Sequence, residues 1–139
     1  MDLVSRHLVL HGSLVLLFAL LLGAPYARAI KRHADAQVVN SWRVAHQSLS
    51  IGALLLLGLA PVLNAMPVAN GLKWAIAVPM IVSGYAFCVA TPMAAITKDR
   101  GLSSGAKGWA RCVYLGNILG AMSSLMGAVL LVGAALAAF

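Results

Sequence analysis

The chain has 139 residues, enough for one domain, and 62% of them are apolar whereas only 9% are charged. Soluble domains carry charge on about a quarter of their residues, so this composition excludes a water-soluble enzyme and a disordered tail. The net charge of +7 does not indicate nucleic acid as a partner, because the basic residues lie between long apolar runs and follow membrane topology instead.

Four apolar stretches predict membrane-spanning helices, which need at least about 17 residues to cross the hydrocarbon core. They cover residues 8–25, 44–64, 74–97 and 112–139. Backbone groups in lipid must bond to one another, so we expect an all-α fold, an antiparallel bundle of four helices in one integral membrane domain. Proline is expected at helix ends and twice inside the third span: Pro25, Pro61 and Pro67 at ends, Pro79 and Pro92 inside.

Basic residues are distributed unevenly among the connections between these spans. Most lie in the first and third loops: Arg28, Lys31, Arg32, Arg43, Lys98, Arg100, Lys107 and Arg111. The N-terminal segment and the second loop hold only Arg6 and Lys73. Because Lys and Arg favour cytoplasmic loops, we expect the first and third loops in the cytoplasm, both termini on the far side, and a multi-pass protein in contact with lipid, in a bacterial inner membrane.

Small residues recur along the fourth span. Gly116 and Gly120 form a GxxxG motif that Ser124, Gly127 and Gly133 continue. Such spacing lets two helices approach closely, and it fits either packing inside one bundle or a contact between subunits.

Ionisable groups inside a span are costly and therefore indicate function. No carboxylate lies inside a predicted span, since Asp2, Asp35 and Asp99 all map outside them. A proton-coupled transporter normally needs an intramembrane acid, so this distribution argues against one.

His46 is the strongest candidate for chemistry among the remaining polar residues. It lies one turn into the second span, and Ser50 follows on the same helix face. A neutral imidazole is the usual protein ligand of haem iron, although an interfacial histidine bonded to a neighbour or to water also fits this position. His11 starts the first span and is predicted near the opposite membrane face, so within one subunit it should not share an iron with His46. His7 and His11 are spaced for a metal or for a plain surface position.

Further polar groups are predicted at membrane depth in the third and fourth spans. They are Tyr85 and Ser83, then Tyr114 and Asn117, which share a helix face. Their hydroxyl and amide groups fit either contact with a ligand or hydrogen bonds to neighbouring helices.

Several short motifs resemble one family when they are taken together. They are Leu10-His11-Gly12, the apolar segment 20–25 ending in Gly-Ala-Pro, Ala45-His46 and Arg100-Gly101-Leu102. With the length and the number of spans, they resemble the small four-helix membrane isomerases that include styrene oxide isomerase and hydroxylaminobenzene mutase.

This resemblance implies a haem b enzyme in which His46 ligates the iron. It implies a homotrimer with haem between adjacent subunits and ferric iron acting as a Lewis acid without redox turnover. The reaction would rearrange a small hydrophobic aromatic substrate in aromatic compound catabolism, from aryl epoxide to aldehyde or from arylhydroxylamine to aminophenol. Arg28, Arg32 and Arg43 are candidates to pair with haem propionates, with lipid phosphates as the competing partners.

One departure from the resemblance concerns the substrate. Relatives place an Asn-Gly pair six and seven residues after the ligand histidine, where this chain has Gly52 and Ala53. Ser50, Tyr85 and Asn117 are therefore the candidates for contacting the substrate. The competing interpretations are a non-catalytic haem protein for electron transfer or gas sensing, and a membrane subunit without a cofactor.

Overall fold

The computed structural model describes residues 1–105 and 107–137, and within them it contains helices and no strand. The helices are α1 (Leu3–Leu21), α2 (Gly23–Lys31), α3 (Ala36–Ala65), α4 (Asn70–Thr97) and α5 (Trp109–Ala137). α1 and α2 join into one apolar segment, so four segments are long and apolar enough to cross a membrane. The all-α prediction is confirmed, and the four apolar segments indicate a multi-pass membrane protein.

Helix ends differ from the predicted spans because the basic flanks continue as helix. α2 ends at Lys31 and α3 begins at Ala36, so Arg28 and Arg43 lie on helices instead of in a loop. The last two residues of the predicted fourth span, 138–139, lie outside the described residues.

Two of the predicted helix-end prolines lie inside helices instead. Pro25 occupies the first turn of α2, where the amide hydrogen that proline lacks has no helical acceptor in any case. Pro61 lies inside α3, so its prediction as a helix end is wrong; neighbouring helices and local adjustments make such prolines tolerable in membrane helices. Pro79 and Pro92 lie inside α4 as predicted.

The core lies between α1, α3 and α4, and α5 is attached to one side of it. α1 packs on α3, α3 on α4, and α4 on α5, whereas α5 has no packing contact with α3 or α1 among the described residues. Most of the largest fully buried side chains come from α1, α3 and α4: Leu8, Leu56, Leu63, Ile76, Val4 and Val15. A space therefore remains between α3 and α5, above the face of α4.

Glycines on α5 allow its close approach to α4. A Cβ atom at Gly116 would lie 2.9 Å from the Cβ of Ala90, and one at Gly120 would lie 2.8 Å from the Phe87 ring. A Cβ at Gly133, in contrast, would meet no described atom within 4 Å. The GxxxG motif thus serves packing inside the bundle, which is one of the two alternatives that its spacing allows.

Asp2 joins three segments at the end of the bundle away from the basic loops. Its carboxylate accepts from the backbone N–H of Ser5 at 2.8 Å and from Lys73 Nζ at 3.0 Å. Its own backbone N–H donates to the side chain of Asn64 at 2.8 Å. The N-terminus of α1 is therefore fixed to the adjacent ends of α3 and α4.

We expect the Asp2→Asn variant to unfold at a lower temperature than the wild type near neutral pH. Hydrogen bonds from Ser5, the backbone N–H first, together with the Lys73 ammonium lower the pKa of Asp2 from 3.8 to about 2. Because the folded-state pKa is depressed, this stabilisation is present above about pH 4 and is lost as the pH falls towards about 2. Thermal unfolding in detergent at several pH values measures it. A difference between variant and wild type that stays constant across this window would contradict the assignment, and Asp35→Asn, at an exposed ion pair, is the control.

Candidate functional site

His46 lies on α3 where α1 and α2 pack against it, and one contact fixes its ring. Nδ1 lies 2.8 Å from the carbonyl oxygen of Ala19. A carbonyl oxygen only accepts, so Nδ1 carries the proton and donates it. In the neutral imidazole Nε2 then keeps its lone pair, which is the state in which histidine ligates a metal.

The segment that follows α1 packs beside the same imidazole. The ring of Tyr26 stacks on it with centroids 6.3 Å apart and an interplanar angle of 27°. A Cβ atom at Gly23 would lie 3.5 Å from the ring's Cε1, an ordinary van der Waals distance, so Gly23 packs directly beside the imidazole. The Gly-Ala-Pro-Tyr segment thus helps to hold the ring of His46, which is half-buried.

These residues fit a haem better than a metal ion held by protein ligands alone. Among residues 1–105 and 107–137, no group of three or more His, Cys, Asp or Glu side chains converges to hold a metal ion. Haem iron takes four nitrogens from the porphyrin and needs only axial ligands from the protein. A single histidine whose other ring nitrogen donates to a backbone carbonyl is the usual arrangement of such a ligand.

Ser50 lies one turn after His46, but its hydroxyl is already engaged. Ser50 Oγ donates to the carbonyl oxygen of His46 at 2.7 Å, a bond within one helix. The structure therefore places Ser50 beside the backbone of His46, and the hydroxyl hydrogen of Ser50 is already donated to the His46 carbonyl.

The three candidate arginines are exposed and lie at the end of the bundle where α2 and α3 meet. Arg28 is in the last turn of α2, Arg32 follows that helix, and Arg43 is on α3 one turn before His46. Arg43 donates to the side chain of Asn40. Within the part of the chain that the structure describes, none of the three forms a salt bridge. They are cationic groups available to a carboxylate or a lipid phosphate.

Tyr85 belongs to a different cluster, on the faces of α1 and α4. Its hydroxyl lies 2.8 Å from Nδ1 of His11. The His11 ring stacks on that of His7 with centroids 5.7 Å apart, and His7 in turn contacts Trp74 at 5.2 Å. His11 precedes Ala19 by eight residues, about 12 Å along α1. The structure therefore does not bring Tyr85 and His46 together.

A cavity of about 450 Å³ fills the space that α5 leaves between itself and α3. Its walls are mainly apolar, and its polar lining residues are Ser48, Ser83, Thr91, Asn117 and Ser124. Gly52 also lines it, and a Cβ there would meet no described atom within 4 Å. Sequence reasoning named Ser83 and Asn117 as polar groups at membrane depth but missed the hydroxyls of Ser48, Thr91 and Ser124 as lining groups. For Ser48, its spacing with Val44 and Leu55 on one face of α3 was the available signal.

Asn117 lies at the junction of this cavity with a second one. Its Nδ2 donates to the carbonyl oxygen of Arg100 at 3.0 Å, which ties the α4–α5 loop to α5. Val44, Thr91 and Asn117 line both the main cavity and the second one, of about 260 Å³, whose wall includes Arg100. The apolar cavity therefore continues into a polar space at the basic end of the bundle.

The main part of the cavity lies on the side of α3 away from His46, which is not among its lining residues. Successive helical residues are rotated by about 100°, so His46 is displaced by about 160° to 180° from Val44, Ser48 and Leu55. Within one chain, therefore, the imidazole does not line the cavity.

The comparison with protein families decides the classification of the chain. The sequence model of the family described as styrene oxide isomerase matches residues 4–136. The chain belongs to the styrene oxide isomerase family. No curated protein and no solved structure matches it. His46 and all lining residues of both cavities fall within the part matched to styrene oxide isomerase, and membership in this family supports an isomerase activity.

Proposed function

We propose that the protein is a membrane isomerase that binds haem b through His46 and rearranges a small aromatic substrate within the molecule. The candidate reactions are arylhydroxylamine to aminophenol and aryl epoxide to aldehyde. The observation that carries the proposal is the bond between His46 Nδ1 and the Ala19 carbonyl, in a chain of the styrene oxide isomerase family.

His46 and its neighbours would hold the cofactor. The Ala19 carbonyl keeps the proton on Nδ1, so Nε2 would be the nitrogen that ligates the iron, and the same bond would raise its basicity. Arg28, Arg32 and Arg43 would pair with the propionates, because guanidinium groups bind carboxylates with two parallel hydrogen bonds. When bound, ferric haem supplies a Lewis acid that polarises the substrate oxygen.

The cavity would supply the surroundings that the rearrangement needs. Its apolar walls exclude water from an electron-deficient substrate carbon, and a dry site strengthens electrostatic interactions with a polarised oxygen. None of its lining residues is acidic, so the wall presents no carboxylate that would trap such a carbon. The chain's own contribution is therefore to bind and orient the ring and to keep nucleophiles away.

A homotrimer would bring His46 and the cavity together. In a closed ring of identical subunits each contact joins two different faces of the chain. The His46 face and the cavity face of α3 would be two such faces. Among the described residues α5 packs on α4 and on no other helix, which leaves the cavity accessible to a neighbour. In the membrane, the basic end of the bundle would face the cytoplasm.

The visible spectrum of the detergent-purified protein from haem-supplemented cells tests the cofactor. We expect a Soret band, and an isomer product of unchanged mass formed without nicotinamide or another electron donor. Dithionite should change the activity of an enzyme that relies on ferric iron, whereas an electron carrier would be reduced and reoxidised freely. Protein purified from haem-supplemented cells without a Soret band, or a product that requires a reductant, would overturn the proposal.

A further inference from the structure

The hydroxyl groups that line the main cavity are not equivalent as hydrogen-bonding partners. Three of them donate their only hydrogen to a carbonyl one turn earlier on their own helix: Ser48 to Val44, Thr91 to Phe87 and Ser124 to Ala121. A hydroxyl whose hydrogen is used offers a ligand only the lone pairs of its oxygen. These three residues therefore present acceptors to the cavity.

Ser83 differs from the other three. Its side chain lines the cavity and the residue is only 6% exposed, yet its hydroxyl makes no hydrogen bond within residues 1–105 and 107–137. Among the described residues no fully enclosed side-chain oxygen or nitrogen lacks a partner, so the unpaired Ser83 hydroxyl is reached from the cavity that it lines. Ser83 thus keeps both its hydrogen and its lone pairs for a molecule in the cavity.

The register of the helices places Ser83 at about the same depth as Gly52 and Ser124. Gln37 of α3 bonds to the backbone of Lys98 at the end of α4, and Gly52 and Ser83 lie equally far along these antiparallel helices from that contact. On α5, Gly127 lies against Met80 of α4, which brings Ser124 level with Ser83.

At the depth of Ser83, α3 contributes no side chain to the cavity wall, and one turn along α4 the wall is aromatic. Gly52 contributes no side chain, so space remains opposite Ser83. Phe87 lies one turn from Ser83 on the same face of α4, about 6 Å along its axis, and also lines the cavity. A ring stacked near Phe87 would place a polar substituent between Ser83 and Ser124.

We propose that Ser83 positions the polar substituent of an aromatic ligand in this cavity, and that the site favours a substituent carrying its own O–H or N–H. Ser83 donates to the ligand, and Ser124 accepts from it. The inference rests on the proposed function for its choice between substrates. Of the two that it allows, the arylhydroxylamine has such donors, whereas the aryl epoxide offers only an acceptor.

Binding of two unreactive probes, 2-naphthol and 2-methoxynaphthalene, to the purified protein in detergent tests this inference. Both probes accept a hydrogen bond, but only the naphthol donates one. We expect Ser83→Ala to lower the binding affinity for both probes about threefold to tenfold. Ser124→Ala should lower the affinity for the naphthol alone, by a similar factor. Because every variant is compared with the wild type for the same probe, partition into detergent cancels.

Ser123→Ala is the matched control, because Ser123 neighbours Ser124 on α5 and does not line the cavity; it should leave both probes unchanged. The inference is overturned if Ser83→Ala behaves like this control, if Ser124→Ala weakens the ether as much as the naphthol, or if neither probe binds saturably to the wild type. The probes are not turned over. A missing Soret band would therefore contradict the proposed function without changing the expected probe affinities. Probe affinities that differ from those expected would contradict this inference without affecting the test for haem.

Discussion

The His46→Ala variant should lose its Soret band and its isomerase activity together. The alanine side chain has no donor atom, so no side chain at this position would ligate haem iron. Changes to groups that only support a metal ligand already cost about 10- to 100-fold, so removal of the ligand itself should reduce activity more than about 100-fold. The ratio of Soret to protein absorbance and the rate of product formation measure both effects, in preparations of equal protein concentration from haem-supplemented cells.

A control and a rescue make this result specific to the imidazole. His33 is exposed and has a positive φ of 49°, which asparagine tolerates, so His33→Asn should retain both the band and the activity. Free imidazole added to His46→Ala should restore part of the Soret band by supplying the missing nitrogen. A variant at position 46 that keeps a full band and full activity would disprove the assignment.

The fold follows from the sequence because lipid leaves few choices. Four long apolar stretches in a chain with so little charge have to be helices, since their backbone groups find partners only within the helix. The helix ends were less predictable. Arg28 and Arg43 looked like loop residues, yet helices continue into the polar region of a membrane, where charged side chains are solvated.

The site was only partly predictable, and the reason differs for each residue. His46 is conspicuous because an ionisable group at membrane depth needs an explanation. Its partner is the backbone carbonyl of Ala19, and a carbonyl leaves no signal in the sequence. Tyr85 was a candidate for contacting the substrate because it lies at membrane depth, but its hydroxyl bonds to His11. The role of Ser83 depends on the space between α3 and α5, which no residue spacing reveals.

The loop between α4 and α5 shapes the cavity from outside the helices, and Gly101 is its critical residue. The backbone of Gly101 has a φ of 61°, and a Cβ atom there would lie 2.6 Å from both the backbone nitrogen of Tyr114 and a side-chain carbon of Val113. The preceding carbonyl, that of Arg100, accepts the hydrogen bond from Asn117. Close approach of this glycine to α5 thus helps to hold Asn117 at the junction of the two cavities.

Gly101→Ala should therefore destabilise the protein and disturb the cavity at once. A positive φ costs an alanine about 1 kcal/mol, and the contact with the α5 backbone adds about 1 to 3 kcal/mol, since neither chain segment moves freely. Gly108→Ala separates these two contributions: Gly108 lies in the same loop with a φ of 58°, but a Cβ there meets no described atom within 4 Å. Gly108→Ala should lose only the stability that the positive φ costs, about 1 kcal/mol. It should bind both naphthalene probes as the wild type does. Thermal unfolding in detergent and the probe affinities measure the difference, and equal losses in the two variants would mean that the loop does not need its close contact with α5.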